Sequence, residues 1–383
     1  MKLPVNAGYK EGKLLAYHEG DDGYLVEDAL SFSRASEATV EKKSGVVTMG
    51  SDTPRIDKDG SLLLEPARTN YIQNSVSLDN VAWGKVNTGT GVPPIVTNNY
   101  GTFRGVNTSR IYCELGALDN ASQSFISGAS SAITGIQWIW ARSLTGSDVT
   151  CTLMGSASNN TVVTTEWKQY QTDIFGSSLR IGAVDNSGAT PSLIVDIEVC
   201  MPTCENGAYP TSYIPTSGAA VTRLEDNSTL TNVVTKGYIG SNTGALLVDF
   251  SAESLFRDAV GTILALGDSG GRVIINNTSS GKSLPTIRVS DSTGNTDVEA
   301  EENTRAVINF TPTNVDVWVN GIKAASSGNA WALLGESLVL NGANRKASIS
   351  ELALFPNTLS DAECYDLTSK KITTYKELAK ELN

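Results

Sequence analysis

The amino-acid sequence predicts an all-β protein with two β-sandwich domains, an irregular N-terminal module and a short C-terminal helical tail. Three observations predict this fold class. The chain holds 35 glycines among recurrent serine, threonine and asparagine residues, a composition typical of short strands joined by tight turns. Several segments alternate apolar and polar residues, which is the period of a strand with one buried face. Signals for the start of a helix occur near the C terminus.

Length, composition and charge exclude several classes of protein. At 383 residues the chain is too long for one ordinary core, so two or three domains are expected. Apolar residues make up 40% and charged residues 18%, which argues against a disordered chain. The net charge of −12 argues against nucleic acid as a partner, because phosphate binding needs clustered Lys and Arg. The sequence contains no run of about 18 apolar residues, so it predicts no membrane helix. The N terminus lacks the apolar core of a secretory signal.

The N-terminal module is predicted to span residues 1–80 and to consist of loops and short strands. Asp57–Gly60 reads as a turn, because Asp favours turn starts and Gly accepts a positive φ. The apolar run Leu62–Leu64 then ends before Pro66, which disfavours helix at the preceding residue.

Residues 81–204 are predicted to form the first sandwich. Residues 136–141 are apolar at nearly every position, so both faces of that strand are expected to be covered. Residues 192–199 begin apolar and then alternate, which places Asp196 and Glu198 together on one face. The following residues 205–235 are rich in Pro, Ser, Thr and Gly and predict a semi-rigid linker.

Residues 236–357 are predicted to form the second sandwich, and residues 358–383 the helical tail. The clearest hairpin has alternating valines before Asn320-Gly321, a pair that favours a turn with positive φ at both positions. In the tail, capping boxes at residues 360–363 and 374–377 predict two helix starts.

The sequence offers no catalytic or metal-binding constellation that we would single out. His18 is the only histidine, and most acid–base chemistry at neutral pH uses this side chain. The string GDSGG at residues 267–271 matches the sequence around a protease nucleophile, but its flanking apolar runs predict a hairpin turn instead. Cys200 and Cys204 are expected to be buried thiols rather than metal ligands or a disulfide. We therefore expect neither a metal nor a cofactor.

Paired carboxylates are the one catalytic option that needs no histidine. Glycoside hydrolysis uses two of them across a sugar bond. No spacing singles out a pair among the candidates, which are Glu166, Asp173, Asp196, Glu198 and Asp249.

Tryptophans offer a binding hypothesis, because flat aromatic faces provide contact area at low entropic cost. Trp318 shares a strand face with Asp316 and Asn320, opposite the valine face. If the valines face the core, Trp318 points to solvent, to a subunit or to a ligand. These three residues are therefore the candidate glycan-binding or subunit-binding site.

Three groups of motifs carry a resemblance. The first comprises FSRAS at 32–36, TPR at 53–55, LLEPARTN at 63–70 and NVAW at 80–83. The second comprises YPTSYIPT at 209–216 and VTR at 221–223. The third comprises VWVNG at 317–321, ISELALFP at 349–356 and LSDAE at 359–363. Together they resemble bacteriophage fibre and head-spike proteins, in which an N-terminal module precedes a carbohydrate-binding-like jelly roll and a concanavalin-A-like (laminin-G-like) sandwich.

The resemblance implies a structural virion protein rather than an enzyme, assembled in the cytoplasm of the host bacterium. It implies a homo-oligomeric head or tail fibre or spike, with a trimer favoured over a dimer. The implied partners are other phage capsid or tail proteins and host cell-surface polysaccharide, with no nucleic acid and no membrane. The alternative is a glycan-binding receptor adhesin with polysaccharide depolymerase activity.

Several polar residues fall within the matched motifs and form a candidate assembly or fold motif. Arg34, Arg55 and Arg68 are predicted to pair with Glu65, because arginine suits two-pronged carboxylate pairing. Such a network would fix the fold or the join to the particle. The other members of the motif are Asn70, Tyr213 and Arg223.

Overall fold

The chain folds almost entirely as β-strands, which confirms the predicted fold class. The computed structural model describes residues 13–17, 24–25, 31–133, 135–153, 160–173, 176–186, 190–252, 261–267, 272–277, 285–290, 294–301, 303–328, 332–333, 335–341 and 346–369. Within this described part, no helix has the length and apolarity needed to cross a membrane.

The strands in chain order are β1 (Lys13–Tyr17), β2 (Tyr24–Leu25), β3 (Ser31–Ser33), β4 (Ala38–Lys42), β5 (Gly45–Met49), β6 (Arg55–Ile56), β7 (Leu62–Leu64), β8 (Arg68–Asn70), β9 (Trp83–Thr88), β10 (Ile95–Phe103), β11 (Val106–Glu114), β12 (Gln123–Ile133), β13 (Ile136–Ser143), β14 (Val149–Leu153) and β15 (Asn160–Val163). They continue with β16 (Lys168–Asp173), β17 (Gly176–Val184), β18 (Ile194–Glu205), β19 (Val221–Arg223), β20 (Asn227–Thr231), β21 (Gly244–Ala252), β22 (Gly261–Leu266), β23 (Arg272–Asn277), β24 (Pro285–Ser290), β25 (Asn295–Glu299), β26 (Asn303–Thr311), β27 (Asn314–Val319), β28 (Ile322–Ser327), β29 (Ser337–Asn341) and β30 (Ala347–Phe355). Helix α1 spans Asp361–Ser369.

The chain divides into two compact units, and each unit is built from segments that are separated in sequence. The terminal unit comprises residues 1–43, 49–67 and 224–383, and the central unit comprises residues 44–48 and 68–223. This division differs from the predicted domains. The segment 31–67 is not a module of its own, because β3 pairs with β20 and β7 pairs with β30. The predicted linker is divided between two sheets: β19 pairs with β8 and β20 pairs with β29, so residues 221–223 and 227–231 are part of the sheets.

The terminal unit is a sandwich of two antiparallel sheets. The first sheet, called here the β21 sheet, has the order β2-β1-β30-β21-β26-β27-β28, with β7 also beside β30 and β6 beside β7. The second has the order β25-β24-β23-β22-β29-β20-β3. Apolar side chains from both sheets, among them Leu246, Ile308, Ile275 and Leu340, fill the space between them. Burial of this apolar surface is the main favourable term in folding.

The central unit is a second antiparallel sandwich. One sheet, called here the β18 sheet, has the order β10-β11-β18-β13-β16, with β8 beside β18 and β19 beside β8. The other has the order β15-β14-β17-β12-β9. Val195, Ile197 and Val199 point into the core from β18, whereas Asp196 and Glu198 lie on its other face, as the alternation predicts.

The predicted turns and the first helix cap are confirmed. Asn320 and Gly321 have φ values of 46° and 81° in the turn between β27 and β28. The Asp57 side chain accepts backbone hydrogen bonds within its own turn. Strands β22 and β23 form the hairpin predicted around GDSGG, although residues 268–271 lie outside the described part.

At the start of α1, the Ser360 amide donates to Glu363 at 2.8 Å and the Glu363 amide donates to the Ser360 hydroxyl. The second predicted capping box and His18 lie outside the described residues.

All five cysteines are buried thiols, and none forms a disulfide. This agrees with the expectation for Cys200 and Cys204. Burial raises the pKa of Cys200 to about 12, so its thiol stays protonated at neutral pH.

A buried ion network holds three separated segments of the terminal unit together. Asp226 accepts hydrogen bonds from Arg34 at 3.0 Å and from Arg55. Arg55 also donates to Glu65 at 2.7 Å, and the Glu65 amide donates to Asp226 at 2.8 Å. The four ionic side chains are buried and carry two positive and two negative charges. The guanidinium of Arg34 also donates to the carbonyls of Ser36, Gly50 and Thr53.

The network places the predicted pairing of Arg34, Arg55 and Glu65 in the interior of the fold. Asp226, which is not among the residues predicted from the sequence, completes the network. Arg68 belongs to the central unit, where its guanidinium lies 5.1 Å from the Tyr209 ring. Charged groups removed from water are tolerated only when each is paired and hydrogen-bonded, so each member depends on the others.

We expect Asp226→Asn to destabilise the terminal unit by about 3–5 kcal/mol, because it leaves two buried guanidinium groups with one carboxylate. Urea unfolding should show a lower midpoint. The matched control is Asp297→Asn, which breaks the partly exposed Arg288–Asp297 pair and should cost less than about 1 kcal/mol. Equal effects of the two substitutions would contradict the structural role of the network.

Candidate functional site

The outward side of the β18 sheet carries a cluster of aromatic and arginine side chains, called here the aromatic face. It is formed by Phe103, Trp140, Trp167, Arg104 and Arg142. Alternation along β13 explains its position, because Ile139 and Ala141 point into the core. The residues between and beyond them, Trp140 and Arg142, therefore face outward.

The rings of the aromatic face are packed against one another and remain half-buried. Phe103 stacks on Trp167 with ring centroids 4.2 Å apart and planes 17° apart. Its centroid lies 5.2 Å from that of Trp140. Guanidinium groups cover the other sides: Arg104 lies 4.2 Å from the Trp140 centroid and Arg142 lies 5.2 Å from that of Trp167. Such cation–π contacts hold the rings in fixed orientations.

A tight turn holds Arg104 in place. Arg104 and Gly105 form the two-residue connection between β10 and β11, with φ values of 50° and 75°. Positive φ at both positions is the geometry that matches the twist of a hairpin. The Arg104 carbonyl accepts a hydrogen bond from Val46 at 2.7 Å. Gly45 lies so close to that carbonyl that a Cβ there would be 2.6 Å from the oxygen, so only glycine fits.

A buried carboxylate holds Arg142. Glu198 accepts hydrogen bonds from Arg142 Nε at 2.9 Å and Nη2 at 2.7 Å, and its other oxygen accepts one from the Thr108 hydroxyl. Glu198 is 2% exposed, so this charge depends on its partners. Gly101 leaves room for it, because a Cβ there would approach Glu198 Oε1 to 2.9 Å.

A second arginine that is paired with a carboxylate and lies near aromatic rings occurs on the same side of the sheet. Arg110 makes two hydrogen bonds to Asp196, at 2.8 and 2.7 Å, and its guanidinium lies 5.9 Å from the rings of both Tyr100 and Tyr112. The hydrogen bonds to Asp196 raise the pKa of Arg110. A depression of about 200 Å³ is lined in part by Arg110 and Tyr112. The outward side of the sheet therefore carries aromatic rings together with Arg110 and Arg142, which are ordered by Asp196 and Glu198.

Three of the five candidate catalytic carboxylates are held by arginines. Asp196 and Glu198 are hydrogen-bonded to arginines, and Asp249 pairs with Arg305 at 3.0 Å. Glu166 is exposed, and the side chain of Asp173 lies outside the described part. Among the residues that the structure describes, no group of three His, Cys, Asp or Glu side chains could hold a metal ion.

Of the predicted binding residues, Trp318 and Asp316 are buried where helix α1 packs, whereas Asn320 is exposed in the turn between β27 and β28. Trp318 faces away from the valines, as predicted, but it is 8% exposed and packs with Leu359 and Leu367. The face therefore meets the chain's own helix rather than solvent. Asn320 accepts a hydrogen bond from the Arg305 amide at 2.9 Å.

Asp316 is held by an ion pair at the same face. It lies 3.0 Å from Lys323 and accepts a hydrogen bond from Asn314 at 2.8 Å. Burial acts to raise the pKa of Asp316, but hydrogen bonds from Ser326, Lys323 and Asn314 outweigh it and hold the pKa below its usual value.

The aromatic face was not among the binding sites predicted from the sequence. The interpretation of residues 136–141 as covered on both faces holds for Ile136 and Trp138, which are buried, but not for the half-buried Trp140. A signal was present in the spacing, because Trp138, Trp140 and Arg142 recur at every second position. The approach of Phe103 and Trp167 depends on sheet pairing, which one sequence does not reveal.

The remaining members of the predicted fold motif lie in the central unit. Asn70 donates to the Ile214 carbonyl at 2.8 Å and accepts from the Cys204 amide at 3.1 Å. Tyr213 and Ser75 share a hydroxyl–hydroxyl hydrogen bond of 2.8 Å. The other two are arginines: Arg68 lies 5.1 Å from the Tyr209 ring, and Arg223 donates to the Ser212 hydroxyl at 2.8 Å.

Glu205 is a buried acid beside these residues, because it is the register partner of Asn70. It accepts hydrogen bonds from the Trp138 indole at 2.8 Å and from the amide and hydroxyl of Thr211 at 2.9 and 2.6 Å. Burial nevertheless raises the pKa of Glu205, because it disfavours the charged form more than the hydrogen bonds favour it.

Comparisons with known proteins do not assign this chain to a family. No protein-family model and no curated protein matches it. One similar solved structure is the binding domain of botulinum neurotoxin DC in complex with rat synaptotagmin II, with a TM-score of 0.30, 13% identity and 40% of each chain covered. Another is domain 4 of a GH43 extracellular arabinanase from Geobacillus stearothermophilus in complex with arabinotriose, with a TM-score of 0.30 and 16% identity. That match covers 43% of this chain and 83% of the other.

A third similar structure comes from work on botulinum neurotoxin type C and its interaction with two ganglioside molecules, with a TM-score of 0.30 and 10% identity. The chain spans about two fifths of the length of the neurotoxin structures that it matches. Similarity at this level does not transfer a ligand or an activity.

We expect Glu205→Gln to change the pH dependence of stability. The folded state binds the Glu205 proton more tightly than the unfolded chain does, so this carboxyl contributes stability that is fully present below about pH 4.3. That contribution is lost as the pH rises through the raised pKa. Urea midpoints between about pH 4 and pH 8 should therefore fall less steeply in the variant than in the parent protein. The exposed Asp79→Asn serves as control, and parallel curves for Glu205→Gln and the parent would contradict the raised pKa.

Proposed function

We propose that this protein is a bacteriophage attachment component that holds bacterial surface polysaccharide on the aromatic face. The observation that carries the proposal is the stacked, half-buried ring cluster with arginines fixed over it. Flat aromatic surfaces of this kind suit the apolar faces of sugar rings, and arginine donors suit their hydroxyl groups.

Pre-organisation supports a binding role. Arg104 is held by a hairpin turn and Arg142 by two hydrogen bonds to Glu198. The rings are ordered by stacking before any ligand arrives, so little side-chain entropy is lost on binding. An extended row that continues to Arg110 and its two tyrosines suits a chain of sugars better than a single small molecule.

We propose binding without cleavage. A glycosidase needs two carboxyl groups placed on either side of the scissile bond, one of them as proton donor. Asp196 and Glu198 instead hold arginines, and Glu198 is buried behind Arg142. The depolymerase alternative therefore receives no support from these residues.

The phage role rests on the resemblance of the motifs at residues 32–36, 63–70, 209–216 and 317–321 to fibre and head-spike proteins. A homo-oligomeric fibre or spike on the head or tail, with a trimer favoured over a dimer, is part of this proposal. An oligomer would present several aromatic faces to one polysaccharide, and avidity then compensates for weak single sites.

We expect Trp167→Ala to reduce binding to purified host polysaccharide by about tenfold or more, because the stacked pair with Phe103 is lost. A bacterial glycan array followed by titration would measure this. The control is Tyr365→Ala, which removes an exposed ring from α1 and should leave binding unchanged. Equal binding by the parent and Trp167→Ala, or binding to no bacterial glycan, would argue against the aromatic face as the site.

We expect antibodies against this chain to label projections on the phage particle. Immuno-electron microscopy of purified virions, with particles lacking the protein as control, tests this. Particles that carry none of the protein would refute the structural role, whereas the glycan titration would still stand by itself.

A further inference from the structure

The outward side of the β21 sheet changes from apolar to polar along the direction of its strands. Leu247, Val307 and Ala353 lie opposite one another on β21, β26 and β30, and helix α1 packs on this apolar part. Helix α1 ends at Ser369. Near the end of α1 the sheet surface is polar among the residues that the structure describes.

The first polar row is ionic, with one arginine shared by two carboxylates. Arg305 and Glu351 are the register partners of Asp249 on either side. Arg305 lies 3.0 Å from Asp249 and 2.6 Å from Glu351. Arg305 also donates to the carbonyl of Leu367, which ties the row to the end of α1.

The next row is neutral. Ser251 pairs in register with Asn303 on one side and with Ser348 on the other. Neither the Ser251 hydroxyl nor the Asn303 amide hydrogen-bonds any of the residues that the structure describes, and Asn303 is exposed. Three adjacent strands span roughly 10 Å, so the row presents donors and acceptors over the length of about two sugar rings.

A β-bulge interrupts the ladder at this place. The register shifts between Asp249 and Phe250, so Ser350 is the extra residue on β30. Its hydroxyl donates to the Asp249 carbonyl at 3.3 Å. Bulges redirect side chains and are frequent beside functional sites. Here the bulge adds a third serine, Ser350, to Ser251 and Ser348 at the polar surface.

Two walls turn this surface into a cleft of about 830 Å³, called here the polar cleft. One wall is the turn at residues 57–61, from which Asp57 accepts a hydrogen bond from Ser348. The other is formed by Thr368 and Ser369 at the end of α1. The volume is within the usual range for small-molecule sites.

We propose that the polar cleft binds a neutral, polyhydroxylated ligand such as an uncharged oligosaccharide. Ser251 and Asn303 in its floor can donate and accept hydrogen bonds, and the hydroxyl oxygens of Ser348 and Ser350 can accept them. The cleft lining has three basic side chains (Lys43, Lys58 and Arg305) and three acidic ones (Asp57, Asp59 and Asp249). Arg305 is already shared by Asp249 and Glu351, so the cleft has no excess of positive charge to attract an anionic ligand. The site lies in the terminal unit and shares no residue with the aromatic face, so it does not depend on the proposed function.

The test uses the full chain with Trp167→Ala as background, so that binding at the aromatic face is weakened. Maltotriose, cellotriose and chitotriose are the neutral probes and trigalacturonate is the anionic probe, followed by saturation-transfer NMR and calorimetry. We expect at least one neutral trisaccharide to bind, and Ser251→Leu and Asn303→Leu each to weaken it by about tenfold or more. Both substitutions place an apolar side chain in the floor of the cleft.

The matched control is Asn295→Leu, because Asn295, like Asn303, is an exposed residue that begins a strand of the same unit. It should leave the affinity within about twofold of the parent. If Ser251→Leu loses its cooperative thermal transition, the exposed Asn303→Leu decides the outcome. Absence of binding by every neutral probe, affinity unaffected by Asn303→Leu, or tighter binding of trigalacturonate would each overturn the proposal.

Discussion

The structure of the terminal unit depends on one buried constellation of charges. Two arginines and two acids, contributed by residues 34, 55, 65 and 226, neutralise one another where water cannot reach them. A residue missing from the set would leave an unbalanced charge in a low-dielectric interior, which costs more than the pair gains. The network therefore fixes which segments meet: strands from the first part of the chain are held against the sandwich formed by its second half.

Local sequence signals predicted local structure well. The Asn320-Gly321 turn, the Asp57–Gly60 turn and the capping box at Ser360 follow from preferences of a few neighbouring residues. The division of the chain did not follow, because pairing of β7 with β30 and of β19 with β8 joins segments far apart in sequence. Composition marked residues 205–235 as a linker, but backbone pairing with two sheets outweighs that tendency.

The two candidate binding surfaces illustrate different ways of using a sheet's outward side. On the β18 sheet, alternation brings Trp140 and Arg142 outward, and pairing with Glu198 fixes the arginine. On the β21 sheet, cross-strand register aligns Ser251 with Asn303 and Ser348. Neither set is contiguous in sequence. A single aromatic such as Trp318 attracts attention in the sequence, yet its burial under α1 depends on a helix about forty residues later.

The path of the chain also determines how long early strands wait for their partner strands during synthesis on the ribosome. Asp57 and its hydrogen-bond partner Ser348 are separated by 291 positions. At about 5–20 residues per second, the early strands wait on the order of tens of seconds before their neighbours emerge. During that interval the apolar residues Leu62–Leu64 lack their final partner strand. The nascent chain is therefore exposed to self-association in this window, and protection by chaperones would matter most before β30 leaves the exit tunnel.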